Sequence, residues 1–363
     1  MNKQSISNST ILMRVMCAVV FFVFTFCYLY FYQADVLAMA QHVLSGGKTR
    51  YNSLIGAVLI TLVLYLLQLL VFAVTRLYKR AHALTYFPSL LSLLLLTAVG
   101  TDFDLSPHLG AWLWAAPVLL ILYGWVAWNM YQYQPYEPKL TDTGLFSKVM
   151  WTNLLTLFIM FLMVGLFSNH NDVFHYRMKM ENLMVRGEYD KALEVGKRSL
   201  ETDSSLVMLR VFALAKKGEL GEHLFEYPIV GGSEALRPDG VTTRSFIYPQ
   251  LEIQRFAATA KAADDYRLCA YLLEKDLNSF VSSVVKCYDI ESGHLPKHYR
   301  EALTLYMHKS PQPLVHFVDE VLEADYADLR KLEQNTPHDV MRYNAVRDAY
   351  SNTYWYYFKY VKN

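Results

Sequence analysis

The chain has 363 residues, enough for two sizeable folded units, and its 53% hydrophobic content and mean hydropathy of +0.15 are high for a soluble protein. Its charges are unevenly spread, since 9 of the 34 Lys and Arg and 5 of the 33 Asp and Glu precede residue 169. The sequence thus predicts an apolar domain, 1–168, and a soluble domain, 169–363. Neither is basic enough to indicate a nucleic-acid partner.

Five apolar runs in the first domain are long enough to cross a bilayer, which takes about 20 residues of helix. A backbone in lipid must form its hydrogen bonds internally, so the runs predict a polytopic bundle of about five transmembrane helices embedded in a lipid bilayer. The third run is the shortest. The runs are Ile11–Tyr32, Leu54–Thr75, Ala83–Gly100, Ala111–Tyr131 and Val149–Ser168.

The first run has a second interpretation, as a signal peptide cleaved after Ala38-Met39-Ala40. Its apolar stretch of about 18 residues is longer than the usual signal core of roughly 7–15, which favours a retained span.

The orientation of the bundle follows from Lys and Arg in its loops, which concentrate on the cytoplasmic side. The loops after the second and fourth runs carry five such residues, and the loops after the first and third carry two. We therefore expect a cytoplasmic N-terminus in the cytoplasmic (inner) membrane and, after five spans, a C-terminal domain on the extracytoplasmic (periplasmic) side. The five are Arg76, Lys79, Arg80, Lys139 and Lys148, and the two are Lys48 and Arg50.

The second domain reads as helical almost throughout, so the whole chain is predicted to be all-α. Apolar residues that include Leu183 recur at helical spacing over Val173–Arg186, and Gly187 ends that helix. A second helix is expected to bury Tyr189, Ala192, Leu193, Val195 and Leu200 on one face. Gly218 closes a third helix, 31 residues after Gly187.

Gly187, with Tyr189 two residues later and Ala192 five residues later, resembles the second-helix half of a tetratricopeptide repeat. In that family a small residue lets two helices approach closely and an aromatic residue fills the gap beside it. The phrase recurs loosely at Tyr266 and at Tyr299 with Ala302. The resemblance covers Asp172–His308 and implies a helical-repeat domain. The family's usual tryptophan is missing, and Ser204 stands where its closing proline would fall.

Two further segments stand out in the second domain. Residues 227–246 contain two prolines and three glycines, which predicts a long loop that interrupts the helices and serves as a connector or as a binding loop. The chain ends on an aromatic stripe that either packs into the core or contacts a partner or the membrane surface. The stripe includes Tyr354, Trp355, Tyr357 and Phe358.

Motifs for chemistry are scarce. The sequence has no CxxC or HExxH spacing and no nucleophile elbow, so it predicts neither a metal nor a cofactor. Asp102 and Asp104, in a loop on the predicted outer side, form a D-x-D pair that resembles the acidic pair of multi-span glycosyltransferases using lipid-linked sugars. That family usually carries the pair in its first outside loop, where this chain has only Asp35, and it has more than five spans.

The layout over the whole length resembles uncharacterised bacterial multi-pass proteins with a helical tail facing the envelope. The leading hypothesis is therefore a membrane-anchored scaffold whose helical repeats bind a protein partner in the cell envelope. The alternative is a membrane-embedded transferase that uses Asp102 and Asp104.

Overall fold

A computed structural model of the chain describes residues 3–100, 110–136, 147–290, 294–336 and 338–362. Within these ranges all regular secondary structure is helical, which confirms the predicted all-α class. The chain separates into two compact units, Met1–Asn171 and Asp172–Asn363, called unit 1 and unit 2 below.

In the part of unit 1 that the structure describes, four helices are long and apolar enough to cross a membrane, over Ile11–Tyr32, Ser53–Thr75, Trp112–Tyr133 and Lys148–Phe167. Short helical segments connect or extend them. In chain order the helices are α1 (Lys3–Cys27, continued by a π-turn over Tyr28–Tyr32), α2 (Ala34–Leu44), α3 (Ser53–Thr75), a 3-10 helix (Lys79–Tyr86), α4 (Phe87–Thr97), α5 (Trp112–Tyr133), a 3-10 turn (Gln134–Tyr136) and α6 (Lys148–Phe167).

The third apolar run does not form one long helix, which differs from the sequence expectation. It is divided between the 3-10 helix and the eleven-residue α4. Pro88 lies at the start of α4, where a missing amide hydrogen is tolerated but a preceding α-helical turn is disfavoured. At rises of about 2.0 and 1.5 Å per residue, the two pieces together span about 32 Å, close to the thickness of a bilayer core.

Helices α1 and α6 run parallel to one another. Near the start of both, the amide nitrogen of Asn153 in α6 lies 3.1 Å from Met13 Sδ in α1. Further along, the rings of Phe24 and Phe161 stack with centroids 3.9 Å apart. The contacts therefore follow the same order along both helices.

The 3-10 helix and α4, which share the third apolar run and are together called the composite third segment below, run in the same direction as α1 and α6. At its beginning, Ala83 N–H donates to Asn153 Oδ1 at 2.7 Å. At its end, Thr97 O accepts from the backbone N–H of Asn169 at 3.2 Å, and Gln33 Nε2 donates to Asn169 O at 3.3 Å. The segment thus extends between the same two ends of unit 1, and the last residues of unit 1 lie at the end opposite Met13.

Unit 2 consists of shorter helices around one hydrophobic core. They are α7 (Asp172–Val185), α8 (Tyr189–Glu194), α9 (Ser204–Lys217), α10 (Leu220–His223), 3-10 turns at Leu224–Glu226 and Gly232–Leu236, α11 (Gln250–Ala257), α12 (Ala260–Leu273), α13 (Leu277–Cys287), α14 (Lys297–Lys309), α15 (Glu320–Asn335), α16 (Asp339–Tyr350) and α17 (Tyr354–Tyr360).

Three turns between helices in unit 2 share one backbone conformation. Gly187, Gly218 and Lys275 each take a left-handed φ, of +76°, +76° and +61°. The next residue donates its N–H to the carbonyl five positions earlier, which satisfies a carbonyl that the helix end leaves open. These bonds, of 2.9–3.0 Å, join Glu188 to Leu183, Glu219 to Leu214 and Asp276 to Tyr271.

Helix α8 is shorter than its apolar pattern predicts. The pattern extends to Leu200, whereas the helix ends at Glu194 and Leu200 is 76% exposed. Gly196 takes a left-handed φ of +62°, and an added Cβ there would lie 2.8 Å from the ring of Tyr176. Just after the helix end, the chain therefore takes a left-handed conformation at a position where α7 leaves no room for a side chain.

We predict that Gly187→Val destabilises unit 2 by about 1–2 kcal/mol, because a left-handed conformation is strained for a residue with a Cβ. No atom lies within 4 Å of the added Cβ, so strain and not collision is the cause. Gly187→Asn is the matched control and should cost less, since asparagine tolerates this conformation. Urea-dependent proteolysis of the full-length protein, read at cleavage sites in 172–217, measures both. Equal losses for the two variants would contradict the strain explanation.

Candidate interaction surface and its supporting core

The acidic pair Asp102 and Asp104 lies outside the described residues. Among the residues that are described, no group of three or more His, Cys, Asp or Glu is placed to hold a metal ion.

The predicted loop 227–246 is partly buried and has a structural partner in α7. Apart from the 3-10 turn at Gly232–Leu236 it has no regular secondary structure, yet residues 243–248 are almost inaccessible to solvent. Buried amide groups outside a helix need hydrogen-bond acceptors from elsewhere. Glu181 supplies one: its Oε2 accepts from the N–H groups of Phe246, Ile247 and Tyr248 at 2.8, 2.5 and 3.1 Å.

The Glu181 side chain is itself fully buried. Burial raises the pKa of this carboxyl above its ordinary value, while the three amide donors and the neighbouring Arg177 act in the opposite direction. A buried carboxylate that accepts three amide hydrogens is a structural anchor, because its removal would leave those amides without a partner.

Arg177 lies one turn before Glu181 on α7 and holds the same segment from its other side. Its guanidinium donates to Arg244 O at 2.9 Å and pairs with Asp203 Oδ2 at 3.1 Å. Asp203 in turn caps α9 by accepting the N–H of Leu206 at 2.7 Å. Two charged residues of one helix therefore fix the irregular segment and the start of α9.

An open cleft of about 290 Å³ lies beside the first two turns, between α8 and the α9–α10 turn. On its α9–α10 side, Lys217 Nζ binds Asp190 Oδ1 at 2.7 Å and Glu219 Oε2 at 2.6 Å, and these contacts raise the pKa of the lysine. Its wall on the α8 side carries Glu194 and Lys197, whose charged ends reach solvent. The cleft is thus lined by both positive and negative side chains, carried by α8 and by the α9–α10 turn.

Tyr227 closes one side of the cleft. Its hydroxyl donates to Leu193 O at 3.3 Å, and the guanidinium of buried Arg210 stacks over its ring at 5.0 Å. Burial lowers the pKa of Arg210 to about 10 and raises that of Tyr227 to about 12, so their charge states stay unchanged around neutral pH.

The residues singled out for repeat packing have the following places. Gly187 and Gly218 lie exposed in the left-handed turns, and the remaining ones border the core of unit 2. Tyr189 is half-buried, with its ring 6.5 Å from that of Phe212. Leu183 is also half-buried, whereas Ala192, Leu193, Tyr266, Tyr299 and Ala302 are buried.

The left-handed turn at Gly187 recurs in unit 2, but not next to Tyr266 or Tyr299. Tyr266 is in the middle of α12 and Tyr299 is the third residue of α14, so neither follows a left-handed turn. The residues that do follow one, in the place of Tyr189, are Leu220 and Leu277. The sequence does carry a signal for all three turns that the analysis of the tyrosines missed. An acidic residue directly follows the residue with left-handed φ, as in Gly-Glu-Tyr, Gly-Glu-Leu and Lys-Asp-Leu.

The aromatic C-terminal stripe forms α17 and packs into the core, the first of its two interpretations. Glu301 Oε2 accepts from Tyr354 N–H at 2.8 Å and from His298 Nδ1 at 2.9 Å. His298 Nε2 accepts from Phe225 N–H at 3.2 Å, which leaves Nδ1 as the protonated nitrogen. Trp355 Nε1 donates to Glu301 O at 2.8 Å. Tyr354, Trp355 and Tyr357 are buried and Phe358 is half-buried.

The two cysteines of unit 2 are free thiols. Cys269 is buried with its sulfur 3.5 Å from Tyr299 Oη, and burial raises the pKa of this thiol above its ordinary value. Cys287 Sγ accepts from Arg267 at 3.4 Å.

Comparison with known families covers most of the chain. Residues 103–252 and 253–361 match the model described as "Family of unknown function (DUF6057)". The chain belongs to this family. The matched range takes in the last part of unit 1, with α5 and α6, and nearly all of unit 2. Neither the curated proteins nor the solved structures gave a match.

We predict that Glu181→Ala destabilises unit 2 by about 3 kcal/mol, because three buried amides lose their acceptor and each such loss costs about 1–3 kcal/mol. Glu181→Gln keeps an acceptor oxygen and should cost less. Hydrogen exchange measured by mass spectrometry on peptides spanning 243–250 should show selective loss of protection in the alanine variant. Glu188→Ala, a change at an exposed turn, is the control. Unchanged exchange at 246–248 in Glu181→Ala would refute the anchor role.

Proposed function

We propose that this protein is a membrane-anchored interaction scaffold. Unit 1 holds the chain in the cytoplasmic membrane, and unit 2 presents a binding surface for a protein partner on the extracytoplasmic side. The observation that carries the proposal is the open cleft between α8 and the α9–α10 turn, which is lined by charges of both signs.

The construction of the cleft supports a binding role. Its two sides follow turns of the same conformation, at Gly187 and Gly218, so the helices that border it are set by rigid backbone geometry. The charges at Lys217 are already paired within the protein. Glu194 and Lys197 extend into solvent and, among the described residues, form an ion pair with each other at 3.3 Å, an exposed contact that costs little to exchange for a partner's charges.

The proposed resemblance to tetratricopeptide repeats is supported by the helix pair α7–α8 and its glycine turn, and by the pair α9–α10 that follows with the same turn. Helical-repeat proteins commonly bind partners along the surface made by successive pairs. The short α8 and α10 make the surface shallow, which suits a segment of polypeptide that lies across both helices.

The sidedness of the proposal is supported by the parallel course of α1, the composite third segment and α6. Two long helices, α3 and α5, return between them. If the composite segment crosses the bilayer, five crossings result and the tail lies opposite the N-terminus. The Lys and Arg of the loops favour the N-terminus as the cytoplasmic end.

A photo-crosslinking amino acid placed at Lys197 in the full-length protein should form a discrete adduct with one protein in native membranes. The same amino acid at Lys331, exposed on α15 and away from the cleft, should not. Adding Glu194→Lys should weaken the Lys197 adduct several-fold, since it reverses a wall charge. Mass spectrometry of the adducts reads the result. Equal adducts at both positions, or an adduct insensitive to the charge reversal, would reject the cleft as the binding surface.

Topology gives a separate expectation. Alkaline phosphatase fused after Asn363 should be active, and a fluorescent protein that folds only in the cytoplasm should fluoresce when fused before Met1, because an odd number of crossings separates the two ends. Fluorescence from fusions at both ends would mean that the composite third segment does not cross and that the tail is cytoplasmic.

A further inference from the structure

A groove of about 510 Å³ opens on the surface of unit 1 between α1 and α3. Its rim is apolar and exposed, formed by Ile11, Val15 and Val19 on α1 and by Leu69 on α3. Hydrocarbon chains of a bilayer would contact this rim, because unit 1 presents these side chains outward. The small side chain of Ala18 leaves room between the two helices at this point.

The inner lining of the groove is polar, which is unusual for a surface that faces lipid. Gln68 and His82 both line it and are each only 2% exposed. Gln68 Nε2 donates to Thr85 Oγ1 at 2.9 Å, but Gln68 Oε1 and His82 Nδ1 have no hydrogen-bond partner among the described residues. Together with Arg14, these residues give the groove a polar side next to its apolar rim, as the headgroup end of a lipid requires.

Arg14 supplies the charge of the groove. It lies four residues into the first membrane-length run, and its guanidinium packs over the ring of Phe72 at 4.4 Å. Among the described residues this ring is its contact, and no carboxylate neutralises it. Arg76 and Arg80, both exposed, follow α3 at the same end of unit 1. A cation near the start of a membrane-length run, beside a chain-sized groove, matches the phosphate and acyl chain of one lipid.

We propose that this groove binds one anionic phospholipid, with its phosphate on Arg14 and an acyl chain along the apolar rim between α1 and α3. The site rests on the proposed membrane anchoring of unit 1 and adds a lipid specificity to it. Guanidinium binds phosphate with parallel N–H donors, which a zwitterionic lipid satisfies less well because its own ammonium competes for the phosphate. Arg76 and Arg80 add attraction for negative headgroups without lining the groove.

The experiment uses the full-length protein in nanodiscs that contain equal amounts of phosphatidylglycerol and phosphatidylcholine. Native mass spectrometry counts the lipids that stay bound to the protein after it is released from the nanodisc. The wild-type protein should retain phosphatidylglycerol with about fivefold preference, the factor expected for one cation near the bilayer surface. Arg14→Gln should abolish the preference, and Arg14→Lys should keep part of it. Arg80→Gln, which removes a nearby charge outside the groove, is the matched control and should keep most of it.

A second variant tests the groove independently of charge. Ala18→Leu fills the space between α1 and α3 and should lower retention of the bound lipid several-fold with no change in net charge. Equal retention in wild type and Arg14→Gln, or equal losses in Arg14→Gln and Arg80→Gln, would overturn the specific site. Failure of the wild-type chain to enter nanodiscs would overturn the membrane anchoring as well, which separates the two conclusions.

Discussion

Every buried amide and carbonyl needs a partner, and this constraint accounts for the main features of both units. In unit 1 it requires helices, and within the 3-10 part of the third segment the side chain of Asn153 accepts the N–H of Ala83. In unit 2 the same need is met by Glu181, whose Oε2 accepts hydrogen bonds from three backbone N–H groups of an irregular segment. Polar side chains in both units therefore hold backbone that regular structure does not satisfy.

The sequence reveals features that depend on near neighbours. Four of the five apolar runs are long helices, because length and hydropathy are local properties. Gly187 and Gly218 end their helices as expected, because a left-handed turn has a glycine signature. Lys275 adopts the same turn without that signature, and only the acidic residue after it marks the position.

Features that depend on distant contacts could not be read in this way. The amides that Glu181 binds lie 65 to 67 positions further along the chain, so nothing around Glu181 distinguishes it from a surface glutamate. Helix α8 stops at Glu194, and the chain beyond it packs at Gly196 against Tyr176 of another helix, a contact that the local apolar pattern does not show. The apolar content of the third run predicts a helix but not the change of helix type next to Pro88, since hydropathy carries no information on rise per residue.

The three equivalent turns also explain why the cleft lies where it does. Gly187 and Gly218 are 31 residues apart, whereas Lys275 follows 57 residues later because the irregular segment and α11 intervene. Two consecutive helix pairs are therefore in regular register, and the third is displaced by an insertion that Arg177 and Glu181 hold in the core. Just before that insertion, Gly221 of α10 packs so closely on Tyr299 of α14 that an added Cβ would lie 2.6 Å from the ring. Helix α10 therefore contacts α14 at Gly221, whereas His223 of the same helix lines the cleft that it shares with α8.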